Sequence, residues 1–349
     1  MKAATLPRSE PNRERLLVVD PERDTFADFS IADLPQFLGP GDAVVLNDAA
    51  TLPASLRADE ELELRLMSEL EDGTWLALTL GRGDSRVPTE ARGSPRPLSR
   101  GEQLDFGSGL RACVISVEPE SSSRFVRIVF EQTGSALWQA LYRAARPIQY
   151  SYLARPLALW DVQNAFASRP WAFEPPSAAK PLTFETLFGL EARGAILAHL
   201  THAAGISSTG DSALDRRLPL GERYEISVAT ATLVNETLAR GASVLAVGTS
   251  VTRALEAAAR GGRVQPGSER TSLLLGPSSK LQICSGLLTG LHEPGTSHYS
   301  LLEAFASRGL LDRSFAHAEA QGYLQHEFGD SCLILAGALR DQLRAKQAA

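Results

Sequence analysis

Cysteine, methionine and long apolar runs are all scarce in this chain. Only three cysteines occur among 349 residues, Cys113, Cys284 and Cys332, and none is in CxxC spacing. That argues against a disulfide framework and a structural zinc site. No HxxxH or HxH pair exists among the six histidines, so no metal site is expected. No uncharged stretch approaches the ~20 apolar residues of a membrane span. Met1 to Arg15 has charge but no apolar h-region, so no secretory signal is expected and the cytoplasm is the default compartment. The GxGxxG fingerprint is missing, which leaves a Rossmann-type nucleotide site without support. A basic surplus is missing too: Lys+Arg number 35 against Asp+Glu 41, a net charge of −6. A large nucleic-acid footprint is therefore disfavoured. Locally basic segments at Arg216–Arg223 and Arg260–Arg270 leave room for a small contact patch.

What the chain does have is an ordinary globular composition, 44% hydrophobic and 22% charged. Val44-Val45-Leu46, after Gly39-Pro40-Gly41-Asp42, reads as a short buried strand that ends at Asn47-Asp48. From residue 56 to 134 the texture changes. Leu62, Leu64 and Leu66 alternate with charged residues, and apolar segments at 75–80, 110–115 and 125–130 follow between Gly, Ser, Pro and Asp clusters. That is the spacing of a small antiparallel β-barrel or sandwich. Within it, Arg82-Gly83-Asp84 reads as a hairpin turn. Beyond residue 180, helix-like segments (184–192, 228–240, 251–259, 301–307, 315–323) alternate with strand-like ones (195–200, 243–247, 283–288). The fold predicted is an α/β main domain, residues 1–55 and 135–349, carrying an inserted antiparallel β-barrel domain at 56–134.

Reactive side chains gather where apolar strands stop, which is where binding groups tend to sit. Leu288 runs into Thr289-Gly290-Leu291-His292-Glu293-Pro294-Gly295-Thr296-Ser297-His298, and Leu200 into Thr201-His202. Ala246-Val247-Gly248-Thr249-Ser250 is strand, glycine turn and helix start, and His326-Glu327-Phe328-Gly329-Asp330 is a fourth junction. Free N–H groups at a helix start bind carboxylates or phosphates, although Thr249 or Ser250 could equally act as plain caps. Arg253, one turn inside, faces either a ligand or Glu256 at i+3. An imidazole near its ordinary ~6.5 can take or give protons at neutral pH, so His202 and His292 are candidates for proton transfer.

Taken in order, these segments resemble the S-adenosylmethionine:tRNA ribosyltransferase-isomerase family of queuosine biosynthesis. The resemblance rests on Gly41 to Asp48 with Leu52-Pro53-Ala54-Ser55-Leu56, on Val162 to Ala167, and on Pro176-Ser177-Ala178. It continues through Ala246 to Glu256, Leu288 to Pro294, and Phe328-Gly329-Asp330, so it spans nearly the whole chain. The family fold it implies is an α/β domain with an inserted β-barrel. The implied reaction moves and isomerises the ribosyl part of S-adenosylmethionine onto the aminomethyl group of a 7-deazaguanine in tRNA. Adenine and methionine are released, and no cofactor is needed because S-adenosylmethionine is a consumed substrate.

Under this resemblance the catalytic candidates are His202, His292, Glu327 and Asp330. The two carboxylates would face the sulfonium or the incoming amine. Gly248, Thr249 and Ser250, assisted by Arg253, would hold the methionine carboxylate. Asn47, Arg146 and Tyr150 would bind sugar or base, with Pro176, Ser177 and Thr289 as further substrate contacts. The expected partners are S-adenosylmethionine and tRNA, with no membrane, and a monomer. The departures cluster on the acceptor side. Ala179-Lys180-Pro181-Leu182 replaces a family GLHF, Gly290 replaces an Asn, Glu327 a Ser, and Ala49-Ala50 a polar-basic pair. Two alternatives therefore stand beside the family reaction: an S-adenosylmethionine-dependent transferase or lyase acting on a small acceptor, and a catalytically silent protein that binds S-adenosylmethionine or tRNA.

Overall fold

A computed structural model describes residues 1–118 and 124–339. The chain begins its main sheet with a hairpin, β1 (Arg15–Asp20) and β2 (Thr25–Ser30), then adds β3 (Ala43–Asn47). The inserted unit follows as β4 (Ser55–Asp59), β5 (Leu62–Glu69), β6 (Trp75–Leu80), β7 (Gln103–Asp105), β8 (Arg111–Glu118) and β9 (Phe125–Phe130), closed by helix α1 (Gly134–Ala144). The main body resumes with α2 (Phe184–Ala192), β10 (Ile196–His202), β11 (Glu222–Ile226), α3 (Val228–Ala239), β12 (Val244–Val247) and α4 (Thr249–Ala257). It ends with β13 (Gly267–Thr271), β14 (Gly286–Gly290), α5 (Ser297–Leu302), α6 (Arg308–Ala320) and β15 (Ser331–Leu335).

The main sheet has nine strands in the order β13-β11-β10-β3-β12-β14-β15-β1-β2. Its centre, β10-β3-β12-β14, is parallel. Such strands are covered on both faces and read as near-continuous apolar runs, as Val44 to Leu46 and Val244 to Val247 do. β15 runs antiparallel to β14, and β11 antiparallel to β10. Four parallel strands therefore finish, and β11, β15 and β1 begin, along one edge.

The inserted unit is a six-stranded antiparallel sheet in the order β4-β5-β6-β9-β8-β7. Its apolar core holds Leu62, Leu64, Leu66, Trp75 and Ile128, and it does not stop at residue 134. Ala140 and Leu141 of α1, together with Ile148, Phe173 and Ile206, belong to the same cluster. Entry and exit lie side by side: the Ser55 N–H donates to the Arg146 carbonyl (2.8 Å) and the Arg146 N–H to the Ser55 carbonyl (2.9 Å).

Several boundaries differ from the sequence reading, each for a local reason. The strand placed at 283–288 is β14, starting at Gly286, because the N–H groups of Gln282, Ile283 and Cys284 are bound by the Glu256 carboxylate (2.8, 3.0 and 2.9 Å). The last two helices start earlier than their apolar spacing suggested. Thr296 caps α5 and Ser307 caps α6, so each helix begins ahead of the segment its apolar spacing marked. Arg82-Gly83-Asp84 is not a hairpin turn. It lies in the loop joining β6 to β7, which are not neighbours in the sheet, and buried Arg92 anchors that loop to Glu63 (2.9 Å) and the Gly81 carbonyl. Among the described residues no helix is long and apolar enough to cross a membrane.

Candidate functional site

The edge where the parallel strands end is where ligands bind in open α/β sheets. Asn47, His202, Gly248 and Gly290 all arrive there at strand ends, and Glu222 and Asp330 at strand starts. Asn47 is fully buried and sets the local geometry. Its Nδ2 donates to the His202 carbonyl (3.0 Å), while its Oδ1 accepts from the N–H of His202 (2.9 Å) and of Ala49 (3.0 Å). Both polar atoms of the amide are engaged by backbone, so it braces the His202 turn instead of facing sugar or base. Beside it, buried Asp48 accepts from the Thr201 hydroxyl (2.6 Å).

His202 is fully buried, and its Nε2 lies 3.5 Å from Glu222 Oε2. The same carboxylate meets Arg253 Nη1 at 2.6 Å and accepts the Gly205 N–H at 2.7 Å. Arg253 therefore pairs with Glu222 and not with Glu256. Burial, reinforced by the Arg253 charge, holds the His202 imidazole well below its ordinary value, so the ring is neutral. Burial raises the Glu222 carboxyl, and Arg253 opposes it.

A row of imidazoles continues from there. Thr289 Oγ1 and His292 Nε2 share a hydrogen bond of 2.8 Å, and His292 stacks on His298 with centroids 5.0 Å apart. Burial, with His298 and His326 nearby, pushes His292 well below its ordinary value. His298 is lowered to about 4, by burial and then by Arg253. His326, at φ +71, stacks on Tyr152 (4.3 Å), which in turn stacks on Tyr150 (6.1 Å). The Tyr152 hydroxyl donates to Glu327 and the Tyr150 hydroxyl to Glu174. Burial raises Glu174 to about 7; the bonds from Tyr150 and Ser207 lower it, and the charge of Glu327 raises it further. Two carboxyls, two phenols and a stack of aromatic rings are thus joined through His326 to the imidazole row.

Helix α4 starts at Gly248 (φ +99) with no side-chain cap, so its first N–H groups are unclaimed by Thr249 or Ser250. A side chain at Gly248 would come within 3.5 Å of Ala178 Cβ, which places the Pro176-Ser177-Ala178 turn against this helix start.

The structure thus brings His202, Arg253, Thr289, His292, Tyr150 and Glu327 to the edge through this chain of contacts, with Gly248, Thr249 and Ser250 beside them. Arg146 and Asp330 do other work. Arg146 is exposed and contributes its backbone to the neck of the insertion. Asp330 is buried and engaged by Arg8 (2.6 Å), by Arg15 (3.1 Å) and by the Leu324 N–H (2.8 Å), so it ties the amino-terminal segment to β15 and has no oxygen free for a sulfonium or an amine. Lys180 reaches the carbonyls of Gln163 (2.7 Å) and Trp160 (3.3 Å), which makes it a loop anchor. Glu222, Glu174, Tyr152 and His298 were not among the sequence candidates. For Glu222 a signal existed: it shares the buried face of β11 with Tyr224 and Ile226 at period two, a carboxylate on an apolar stripe.

Comparison with known proteins decides the family. The profile of the family described as "Queuosine biosynthesis protein" matches residues 1–334. The chain belongs to this family. It is 34% identical over 343 residues to an S-adenosylmethionine:tRNA ribosyltransferase-isomerase of Anaeromyxobacter dehalogenans, covering 95% of each chain. It is also 34% identical over 352 residues to the protein of that name from Thermosynechococcus vestitus, covering 98% of this chain and 95% of the relative. The crystal structure of the S-adenosylmethionine tRNA ribosyltransferase of Thermotoga maritima shares the fold, with a TM-score of 0.53, 22% identity, and 95% and 96% coverage. The family's α/β body with its inserted antiparallel sheet is thus present here.

Proposed function

We propose that the chain is an S-adenosylmethionine:tRNA ribosyltransferase-isomerase, making epoxyqueuosine by adding a rearranged ribosyl group to an aminomethyl-deazaguanine in tRNA. The observation that carries the reading is the convergence of His202, Arg253, Thr289 and His292 on one sheet edge, the last three within segments that resemble the family motifs. S-adenosylmethionine would lie across this edge as a consumed substrate, its methionine carboxylate on the α4 start and Arg253. His292 is the better proton acceptor of the two candidates. It is half-buried and neutral, and Thr289 fixes its ring, whereas His202 is enclosed. A proton on C5′ is acidified by the adjacent sulfonium, and its removal starts the chemistry. The amine then attacks the sugar, adenine and methionine leave, and the ring closes to the epoxy-cyclopentanediol. Glu174 and Glu327, tied to Tyr150 and Tyr152, stand where an ammonium acceptor would be held and deprotonated.

For tRNA, the two locally basic segments give partial support. Arg223 of β11 and Arg270 of β13 are direct cross-strand partners, and Arg223 stacks on Trp171 (3.8 Å), with Arg169 at 5.4 Å from the same ring. Cations around a half-buried indole suit a phosphate backbone and an unstacked base. A small amine acceptor is the second reading, favoured by Glu327 beside Tyr152 where the family has Ser. Product analysis by mass spectrometry tests both. Adenine release from S-adenosylmethionine should require tRNA bearing the aminomethyl base, and His292→Ala should cut it by at least ~100-fold. Release with amine but without tRNA supports the second reading, and no release under any condition refutes both.

A further inference from the structure

Nine buried side-chain polar atoms among the described residues have no hydrogen-bond partner, and four of them meet at one point: His202 Nδ1 and Nε2, Glu222 Oε2 and Arg253 Nη1. Buried polar groups are normally hydrogen-bonded, and each one left unmade costs ~1–3 kcal/mol. The Glu222–Arg253 contact does not resolve this. At 2.6 Å the ions touch, yet Arg253 Nη1 and Glu222 Oε2 are misaligned for a hydrogen bond. The second carboxylate oxygen is already occupied by the Gly205 N–H. Both side chains are more than nine-tenths buried. A buried anion and a buried cation, each with an unused valence beside the other, form a receptor for a group that carries both charges.

We infer that Glu222 and Arg253 are the seat of an α-amino acid zwitterion, Glu222 Oε2 taking the α-ammonium and Arg253 the α-carboxylate. This rests on the functional reading above, in which that zwitterion is the methionine head of S-adenosylmethionine. Arg253 is placed for it by helix α4, whose uncapped start offers further N–H donors to the same carboxylate. Glu222 is placed by β11 and held by Gly205 at the turn after β10. Single-charge ligands fit less well. A lone carboxylate on Arg253 would set a second negative charge against Glu222, and a lone ammonium on Glu222 a second positive charge against Arg253. The seat also orders the reaction: with the head group fixed here, the sulfonium three carbons away is held at the sheet edge, toward the imidazole row.

The test is calorimetric binding of three probes to the full chain: S-adenosylmethionine, its deaminated analogue and its decarboxylated analogue. Wild type should bind each truncated analogue at least ~10-fold more weakly than S-adenosylmethionine, the loss expected for one charge-assisted bond. Glu222→Gln should weaken S-adenosylmethionine by ~10–100-fold while changing the deaminated analogue less than about threefold. Arg253→Gln should show the reverse selectivity, sparing the decarboxylated analogue. The inference is overturned, with the function intact, if wild type binds S-adenosylmethionine but discriminates the analogues by less than about threefold, a result that does not depend on any variant folding. Equal losses for all three probes in Glu222→Gln overturn it too. No binding of S-adenosylmethionine by wild type sinks this seat and the functional reading together.

Discussion

Replacing Asn47 by Ala separates a brace from a substrate contact. In the wild type, three hydrogen bonds, of 2.9, 3.0 and 3.0 Å, run from its amide to the backbone of His202 and Ala49 in a fully buried position. Alanine removes all three and strands the two N–H groups, while the His202 carbonyl keeps its bond from the Ala204 N–H (3.0 Å). Each such bond contributes ~1 kcal/mol net, and each stranded partner costs ~1–3 kcal/mol, part of which a water entering the vacated space restores. A loss of about 3 kcal/mol follows. That is a large share of the ~5–15 kcal/mol typical of folded proteins, yet it leaves the variant folded at 25 °C. Followed by far-ultraviolet circular dichroism, the urea midpoint should fall by about 1 M if the m value is about 3 kcal/mol/M. In the adenine-release assay, kcat should drop because the His202 turn is loosened, while KM for S-adenosylmethionine stays within about threefold. A midpoint within ~0.2 M of wild type, combined with a tenfold rise in KM, would refute the argument and return Asn47 to the ligand.

Glu14 gives a pH test. Buried against Ser331 and raised to about 8, it keeps its proton when folded between pH ~4.5 and ~8, whereas the unfolded chain loses it. Native protein then binds more protons than unfolded, so its contribution to stability fades as pH rises through that window. Glu14→Gln should therefore gain on wild type steadily from pH 5 to 8 in urea titrations, and a pH-independent offset would contradict the burial argument. His298 behaves oppositely. Lowered to about 4, its neutral ring contributes stability that is complete above ~6.5 and is lost as pH falls through 4. Its NMR titration midpoint should be near 4; one near 6.5 refutes the buried imidazole row. Gly248→Ala forces a side chain onto φ +99 beside Ala178. It should cost ~1–2 kcal/mol of stability and weaken S-adenosylmethionine binding measurably by calorimetry, and unchanged binding would remove the α4 start from the ligand.

What the sequence revealed followed from local physics. Strands β3, β12 and β14 are apolar runs closed by Asn or Gly, and α2 is bounded where its Thr183 cap and its apolar spacing say. The change to alternating short strands placed the insertion, although its core reaches on to Ile148 and Phe173, because packing ignores where a strand pattern stops. The hairpin β1–β2 and strand β15 escaped notice, since their places in the sheet depend on pairing between the two ends of the chain. The same limit applies at the site. His202 and His292 stand out beside their own strand ends, but Glu222 becomes informative only when tertiary packing brings Arg253 against it. Asp330 shows the converse: a motif carboxylate that looked reactive, until Arg8 and Arg15 arrived from the far end of the chain.

The paired amides at Ser55 and Arg146 have an architectural consequence. Because the two ends of the inserted segment leave the parent sheet a hydrogen bond apart, a shorter or longer cassette could be exchanged at that junction without moving β3 or β10. Substrate reach could then diversify among descendants while the proton chemistry at the sheet edge stays as it is.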